Sequence, residues 1–388
     1  MGERARVPPL ESVVIAGGGV AGLAAANALA RRGIRSLVLE RRRAPGDIDR
    51  GDVIQDSVLP ILARWNLQDR LAAYGPIQLR KFRMLNDRAQ TLFEVDLERD
   101  LPRAARLTLV THPDLERLLE QAALETGLVT VRRETTCLDL LLEGGRVTGV
   151  RTEAGSIPAS LTVVASGAQA AIRDKFFPGR RLHEYAFSFY NARVKLVPEY
   201  ADAGFYVLGE TGVMVMAPLP KGEMRIGIQF RRAHGVESVT ARNFTQMVTR
   251  RFPMFPVHKL EFLAGHVYHL SKSLGRSLWI PGAVLVGDAA HTVHPAGGQG
   301  MNLAFQDAEA LAELLAAAPA DQMDRACQRY SARRRREVKR VLRVTHFMGL
   351  LGSLERPALI RMREALLRAC NRSRGFKKRF VQRVIDVG

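Results

Sequence analysis

Cysteine is scarce in this sequence of 388 residues, with only Cys137, Cys327 and Cys370 present. No pair has CxxC spacing, which excludes a disulfide framework or a cysteine zinc cluster and suits a reducing, cytoplasmic compartment. Aromatic residues make up only 6% of the chain, and no nucleic-acid recognition motif accompanies its basic stretches. That texture argues against a nucleic-acid surface. There is no internal repeat and no long low-complexity segment. Charge-free runs are equally rare. Val13 to Ala30 is one, but it holds Gly17, Gly18, Gly19, Gly22 and Asn27, and it leads straight into strand-like Arg35–Leu39, so it reads as neither signal peptide nor membrane span.

What is present is a globular chain, 47% hydrophobic, with a formal net charge of +19. From Arg333 onward there are 17 Lys and Arg against 4 Asp and Glu, so +13 of the excess belongs to the C-terminal tail. The tail also carries Leu350, Leu351, Leu359, Ile360, Leu366 and Phe376. A basic amphipathic helix of this kind suits peripheral contact with an anionic membrane, or packing of one face on the body.

Two stretches organise the rest. In the first, a strand from Ser12 to Ala16 runs into Gly17-x-Gly19-x-x-Gly22, a helix to about Arg32, a second strand from Arg35 to Leu39, and Glu40. Gly17 permits the tight turn, Gly19 lets backbone approach a pyrophosphate, and Gly22 allows close helix–strand packing. Glu40 is placed to accept hydrogen bonds from ribose hydroxyls and repels a 2′-phosphate, so this unit should take FAD or NAD rather than NADPH. In the second, residues 285–307, an apolar strand ends in Gly287-Asp288. A loop with Gly297, Gly298 and Gly300 follows, and a helix begins near Met301. A bare loop at a helix N-terminus offers backbone N–H donors to a flat, anion-forming ligand.

With both stretches placed, the chain resembles the single-component FAD-dependent aromatic hydroxylases typified by para-hydroxybenzoate hydroxylase. Ubiquinone-pathway hydroxylases and tetracycline-degrading monooxygenases belong to the same group. The resemblance runs in motif order from about residue 12 to about residue 345. It implies an α/β fold: a Rossmann-like FAD-binding domain (1–75, 105–180, 277–345) with an inserted, mostly antiparallel β-sheet substrate domain (76–104, 181–276) and a basic helical tail (346–388). By carry-over, Gly17, Gly19, Val20, Ala21 and Gly22 hold the pyrophosphate of FAD, and Glu40 and Arg41 the adenosine ribose region. Arg50 and His112 are further cofactor contacts, Asp288 holds the ribityl chain, and Gly298, Gly300, Met301 and Asn302 embrace the ring, with Pro295 over it.

The resemblance further implies that NADPH or NADH reduces FAD, that O2 adds to give a flavin C4a-hydroperoxide, and that one oxygen passes to an electron-rich carbon of an aromatic or polyketide-like small molecule. No metal and no side-chain nucleophile is needed. His291 and His294, three apart, lack the third ligand of a metal site. Tyr190, Tyr206, Met214, Met216 and His269 are the candidate substrate contacts, the two methionines sharing a strand face by period two. Two departures stand out. Ser166-Gly167 replaces the usual Asp-Gly, although Arg173 matches the downstream arginine, and His112 stands where relatives often carry arginine. A flavin reductase or oxidase that inserts no oxygen, and a membrane-associated binding protein with structural FAD, are the competing readings. In the block from Val53 to Asp69 the apolar spacing predicts one helix.

Overall fold

The computed structural model describes residues 13–46, 53–100, 107–168, 170–209, 212–232 and 241–384. Two large sheets dominate. The first has six strands in the order Trp279–Ile280, Ala283–Leu285, Leu161–Val164, Val13–Ala16, Ser36–Leu39, Val129–Arg132. All neighbours are parallel except the pair at the Trp279 edge. Its central strands are buried over their full length and apolar but for Thr162, as a sheet covered on both faces requires. The helix Val20–Ala30 is almost wholly buried and packs on the helix Gln299–Ala316.

The second sheet has eight strands in the order His291–Thr292, Phe262–Leu274, Arg181–Lys195, Glu223–Arg231, Gly212–Leu219, Ala203–Gly209, Lys81–Leu85, Thr91–Asp96. It is antiparallel except where Ala203–Gly209 meets Lys81–Leu85. One segment belongs to both sheets: Ala283–Leu285 lies in the parallel sheet and His291–Thr292 closes the edge of the antiparallel one. The Gly287-Asp288 turn therefore sits at their junction. The architecture is α/β with an inserted antiparallel sheet and C-terminal helices, as the resemblance implies.

The single helix expected over 53–69 is not formed. Val53–Ile54 is a short strand, Leu59–Arg64 one helical turn and a half, and Gln68–Ala72 another short helix. Pro60 fits only the first turn of a helix, and Asn66, with φ of 57°, ends it in the left-handed region. The apolar stripe is still core: Ile54, Val58, Leu62 and Trp65 are at most 1% exposed. The helix Ala241–Arg251 and the long strand Phe262–Leu274 were not singled out by the spacing.

The C-terminal tail forms helices Pro357–Asn371 and Arg374–Val384 after the 30-residue helix Met323–Gly352. Part of its apolar content docks on the body. Phe380 meets Phe93 with ring centroids 5.0 Å apart and Phe82 at 6.4 Å. No helix among the described residues is long and apolar enough to cross a membrane.

Candidate cofactor and substrate site

Strands Val13–Ala16, Leu161–Val164 and Ala283–Leu285 are parallel neighbours, so Gly17, Ser166 and Gly287 emerge together at one sheet end. Gly17 has φ of +116°, and a Cβ there would lie 2.5 Å from the Ala165 carbonyl oxygen. At Gly22 a Cβ would stand 1.8 Å from the carbonyl oxygen of Gly17. Gly287, at φ +61°, presses on Ala21, where an added Cβ would come within 2.6 Å of the alanine methyl. The two distant motifs thus meet in van der Waals contact. At Gly19, by contrast, the nearest atoms to an added Cβ are 3.6 Å away, so the amide-lined start of the helix is open from above.

Charged side chains ring that opening. Glu40 is buried and accepts from the Gly18 amide at 2.7 Å and from the Arg42 amide and Nε at 2.9 and 3.0 Å. Burial works to raise its pKa, but the bonds and charge of Arg42 and the Gly18 amide outweigh it, and the net displacement is downward. Arg42 also donates to buried Glu116 at 3.1 Å, and His112 lies 3.5 Å from the same carboxylate. Arg41, the expected contact, is exposed, while Arg42 is the one paired with Glu40 and Glu116. The alternation of neighbours at the end of a strand cannot distinguish Arg41 from Arg42 without the turn geometry. Arg50 lies outside the described residues. After the third strand, Gly167 takes φ of +82°, and buried Arg173 donates to the Ala168 carbonyl at 2.8 Å. It thus fixes the loop that carries Ser166.

The glycine loop is pinned from below. Gly297 and Gly298 have φ of +95° and +62°, and Gly298 caps the helix Gln299–Ala316. The Gly298 amide donates to the Pro295 carbonyl at 2.9 Å. Asn302, fully buried, accepts from the Gln55 amide at 2.8 Å and donates to the carbonyls of Gly298 at 2.8 Å and Val53 at 2.9 Å. Its side chain is spent on the loop, so only backbone at this position is left for a ligand. Gln55 donates to the Gly297 carbonyl at 2.6 Å. It belongs to this clamp, and no sequence signal marked it. Asp288 faces the same opening: a Cβ on Gly300 would be 3.8 Å from its Oδ1.

Behind the loop lies a buried polar hub. Asp307 is wholly inaccessible; it accepts from the Gly287 amide at 2.8 Å and Arg334 Nε at 2.6 Å, and its Oδ2 is 2.8 Å from His291 Nε2. Burial works to raise its pKa, and His291 and Arg334 more than offset that, leaving it lowered. His291 is therefore a strut of the turn. His294 is buried too, with its Nδ1 accepting the Ala296 amide at 3.2 Å and its ring 4.9 Å from that of Tyr185. Gly349 leaves room for it, since a Cβ there would be 2.7 Å from His294 Nε2.

Burial, then the charge of nearby His346, lowers the His294 pKa to about 4. The unfolded chain would bind this proton below about pH 6.5 while the folded one does not, so stability falls with pH between those two values. The expected loss, by linkage, is about 3 kcal/mol on reaching pH 4. Urea titrations of wild type and His294→Gln across this range check it: the variant should show a flatter profile.

The antiparallel sheet turns one face to this loop. The Tyr206 hydroxyl accepts the Gly297 amide at 3.3 Å, and its ring meets that of Phe82 at 5.0 Å. Phe189, Val213, Val215 and Tyr268 lie on the same side. Of the candidate substrate contacts, Tyr206 alone lies here. Met214, Met216 and Tyr190 point to the opposite face, in a core closed by Phe244 and Val248 of the helix Ala241–Arg251 and by Phe252 just after it. His269 is exposed, its Nδ1 2.8 Å from the Ser188 hydroxyl. Period two identifies which residues share a face but not which face meets the loop. Removing the Tyr206 hydroxyl in Tyr206→Phe strips the Gly297 amide of its acceptor. About 1 kcal/mol is at stake, so FAD should dissociate roughly fivefold more readily in a fluorescence titration.

These residues fit FAD: a cradle that side chains would fill at Gly17 and Gly22, open amides at Gly19, a lowered carboxylate at Glu40, and a glycine-capped helix start facing Asp288. Comparison with known proteins agrees. Residues 11–345 match the FAD binding domain family. The chain belongs to this family. It is an FAD-dependent monooxygenase, an oxidoreductase.

Among its relatives, 3-demethoxyubiquinol 3-hydroxylase of Escherichia coli is 26% identical over 78% of this chain and 79% of that protein. A 6-methylpretetramide 4-monooxygenase of Streptomyces rimosus is 27% identical over 92% of this chain and 88% of its own length. Squalene epoxidase 2 of Arabidopsis thaliana is 28% identical over 78% of this chain, which spans only 53% of that relative. In three dimensions, p-nitrophenol 4-monooxygenase from Pseudomonas putida superposes with a TM-score of 0.84 at 19% identity, covering 96% of this chain and 97% of that one.

Proposed function

We propose that this monooxygenase hydroxylates an aromatic or polyketide-like small molecule, with NADPH or NADH and O2 as co-substrates. When bound, FAD supplies the reductive activation of O2 and the transfer of one oxygen atom. The chain's own residues bind, orient and exclude water. The Gly17–Gly22 turn, Glu40 and Arg42 hold the diphosphate and adenosine end. The amides of Gly300, Met301 and Asn302 and the carboxylate of Asp288 take the ring and ribityl end, with Pro295 on the loop beside it.

The single observation carrying the substrate reading is the face built on Tyr206, Phe82, Phe189, Val213 and Val215. It is apolar, aromatic and set against the glycine loop through the Tyr206–Gly297 hydrogen bond. Such a face favours a flat ring substrate and keeps water from the reaction. That relatives act on a quinol and on a pretetramide accords with this. The test is turnover by FAD-loaded protein on a panel of phenols and fused-ring polyketides under isotopically labelled O2. Incorporation of one labelled atom into product is expected. Substrate turnover with no label in the product would instead favour the enzyme without oxygen insertion, which the Ser166 departure motivates.

A further inference from the structure

The helix Met323–Gly352 presents a stripe that the cofactor and substrate sites do not use. Arg336, Lys339, Arg340, Arg343, Phe347 and Leu350 are all exposed. At 3.6 residues per turn they fall within about 100° of one another, so they form one continuous stripe, basic for two turns and then apolar. None of the four cations makes an ion pair among the described residues.

A second stripe follows across the short elbow Ser353–Arg356. On the helix Pro357–Asn371 the spacing of Leu359, Met362 and Leu366 places them on one outward side, while Ile360 and Arg363 are buried toward the body. Arg363 ties the two helices by donating to the Leu351 carbonyl at 3.2 Å. Phe347 is 61% exposed, Met362 62% and Leu366 56%, which is not how a soluble surface usually treats such side chains. Six of the twelve exposed large apolar side chains among the described residues fall between Phe347 and Phe376. The clustering is therefore local and is not a general feature of the surface.

We infer that this helix–elbow–helix is a docking surface for an anionic lipid bilayer. Exposed Leu, Met and Phe enter the interface while Arg336, Lys339, Arg340 and Arg343 meet the head groups. The charge complementarity favours this occupant over the others. A symmetric pairing of two copies through the same stripe would set four cations against four cations. A nucleic acid would satisfy the cations but leave the aliphatic side chains in water. The surface is distinct from the flavin loop, so the inference does not rest on the substrate reading.

The test is co-sedimentation of the full-length, FAD-loaded protein with vesicles of phosphatidylcholine alone or mixed with phosphatidylglycerol. Binding to the mixed vesicles only is expected, weakening as salt rises. The variant Phe347→Glu/Met362→Glu, and separately Arg336→Ser/Lys339→Ser/Arg340→Ser/Arg343→Ser, should each lower partitioning at least tenfold. All six positions are exposed, so FAD content and melting temperature should match wild type and report that the fold is kept. Absence of binding, equal binding to neutral vesicles, or unchanged binding by both variants overturns the inference. So does light scattering that shows a dimer abolished by the same substitutions, which would assign the face to a second copy of this chain.

Discussion

Replacing Gly22 by alanine is expected to yield a protein that purifies without yellow colour. The added methyl would stand 1.8 Å from the Gly17 carbonyl oxygen, a backbone atom with no rotamer in which to retreat. Either the helix Val20–Ala30 slides outward or the Gly17 turn opens, and both displace the amides proposed to face the diphosphate. Packing an extra methyl group against rigid backbone costs on the order of 3 kcal/mol, which is about a hundredfold in FAD affinity if the strain is relieved on losing the cofactor. Visible absorbance of the purified variant and an FAD titration measure this directly. Alanine at Gly33, where nothing lies within 4 Å of an added Cβ, is the control and should keep its flavin despite the local φ of +75°. Loss of flavin in both would trace the effect to general instability.

Asp307→Asn is expected to lower the melting temperature by roughly 10 °C. Removing one partner of a buried ion pair costs about 3–5 kcal/mol, and each kcal/mol moves a mid-sized protein by about 2–4 °C. The amide of asparagine keeps the shape but withdraws the charge that compensates Arg334, itself 2% exposed. It also presents an NH2 group where the Gly287 amide and His291 now meet an acceptor. The sign with pH follows from the lowered carboxylate: its contribution is present at neutral pH and is withdrawn as pH falls below the ordinary carboxylate range. The variant should therefore lose less stability than wild type on acidification there, which calorimetry at several pH values would show. Because Gly287 lies on Ala21, weakened FAD binding should accompany the lower melting temperature.

The two cofactor motifs were legible in the sequence because their residues answer to local rules. Gly17, Gly22 and Gly287 are glycine for want of space or for positive φ, and Glu40 closes a strand–helix–strand unit of ordinary length. Gln55 and Asn302 show the limit. Their mutual bond joins residues 247 apart, and no spacing within either segment announces it. Asp307 lay inside the recognised stretch, yet its role depends on Arg334, about three turns beyond the start of another helix. Which sheet face meets the loop was hidden for a different reason. Alternation correctly grouped Met214 with Met216, but a strand has two faces, and only the helix Ala241–Arg251 decides which is covered.

The sequence alone determined that a dinucleotide turn and a glycine-capped helix exist, that the chain alternates between parallel and antiparallel segments, and that its charge gathers at the C-terminal end. Those properties follow from backbone sterics, periodicity and composition, which act over a few residues. Only the tertiary structure decided that strands from residues 13, 161 and 283 stand side by side, which brings Gly287 against Ala21. It alone turned Tyr206 toward the loop and Met214 away, and left Phe347, Met362 and Leu366 bare. Which surface a side chain meets is set by packing between segments far apart in the chain, and no local rule encodes that distance.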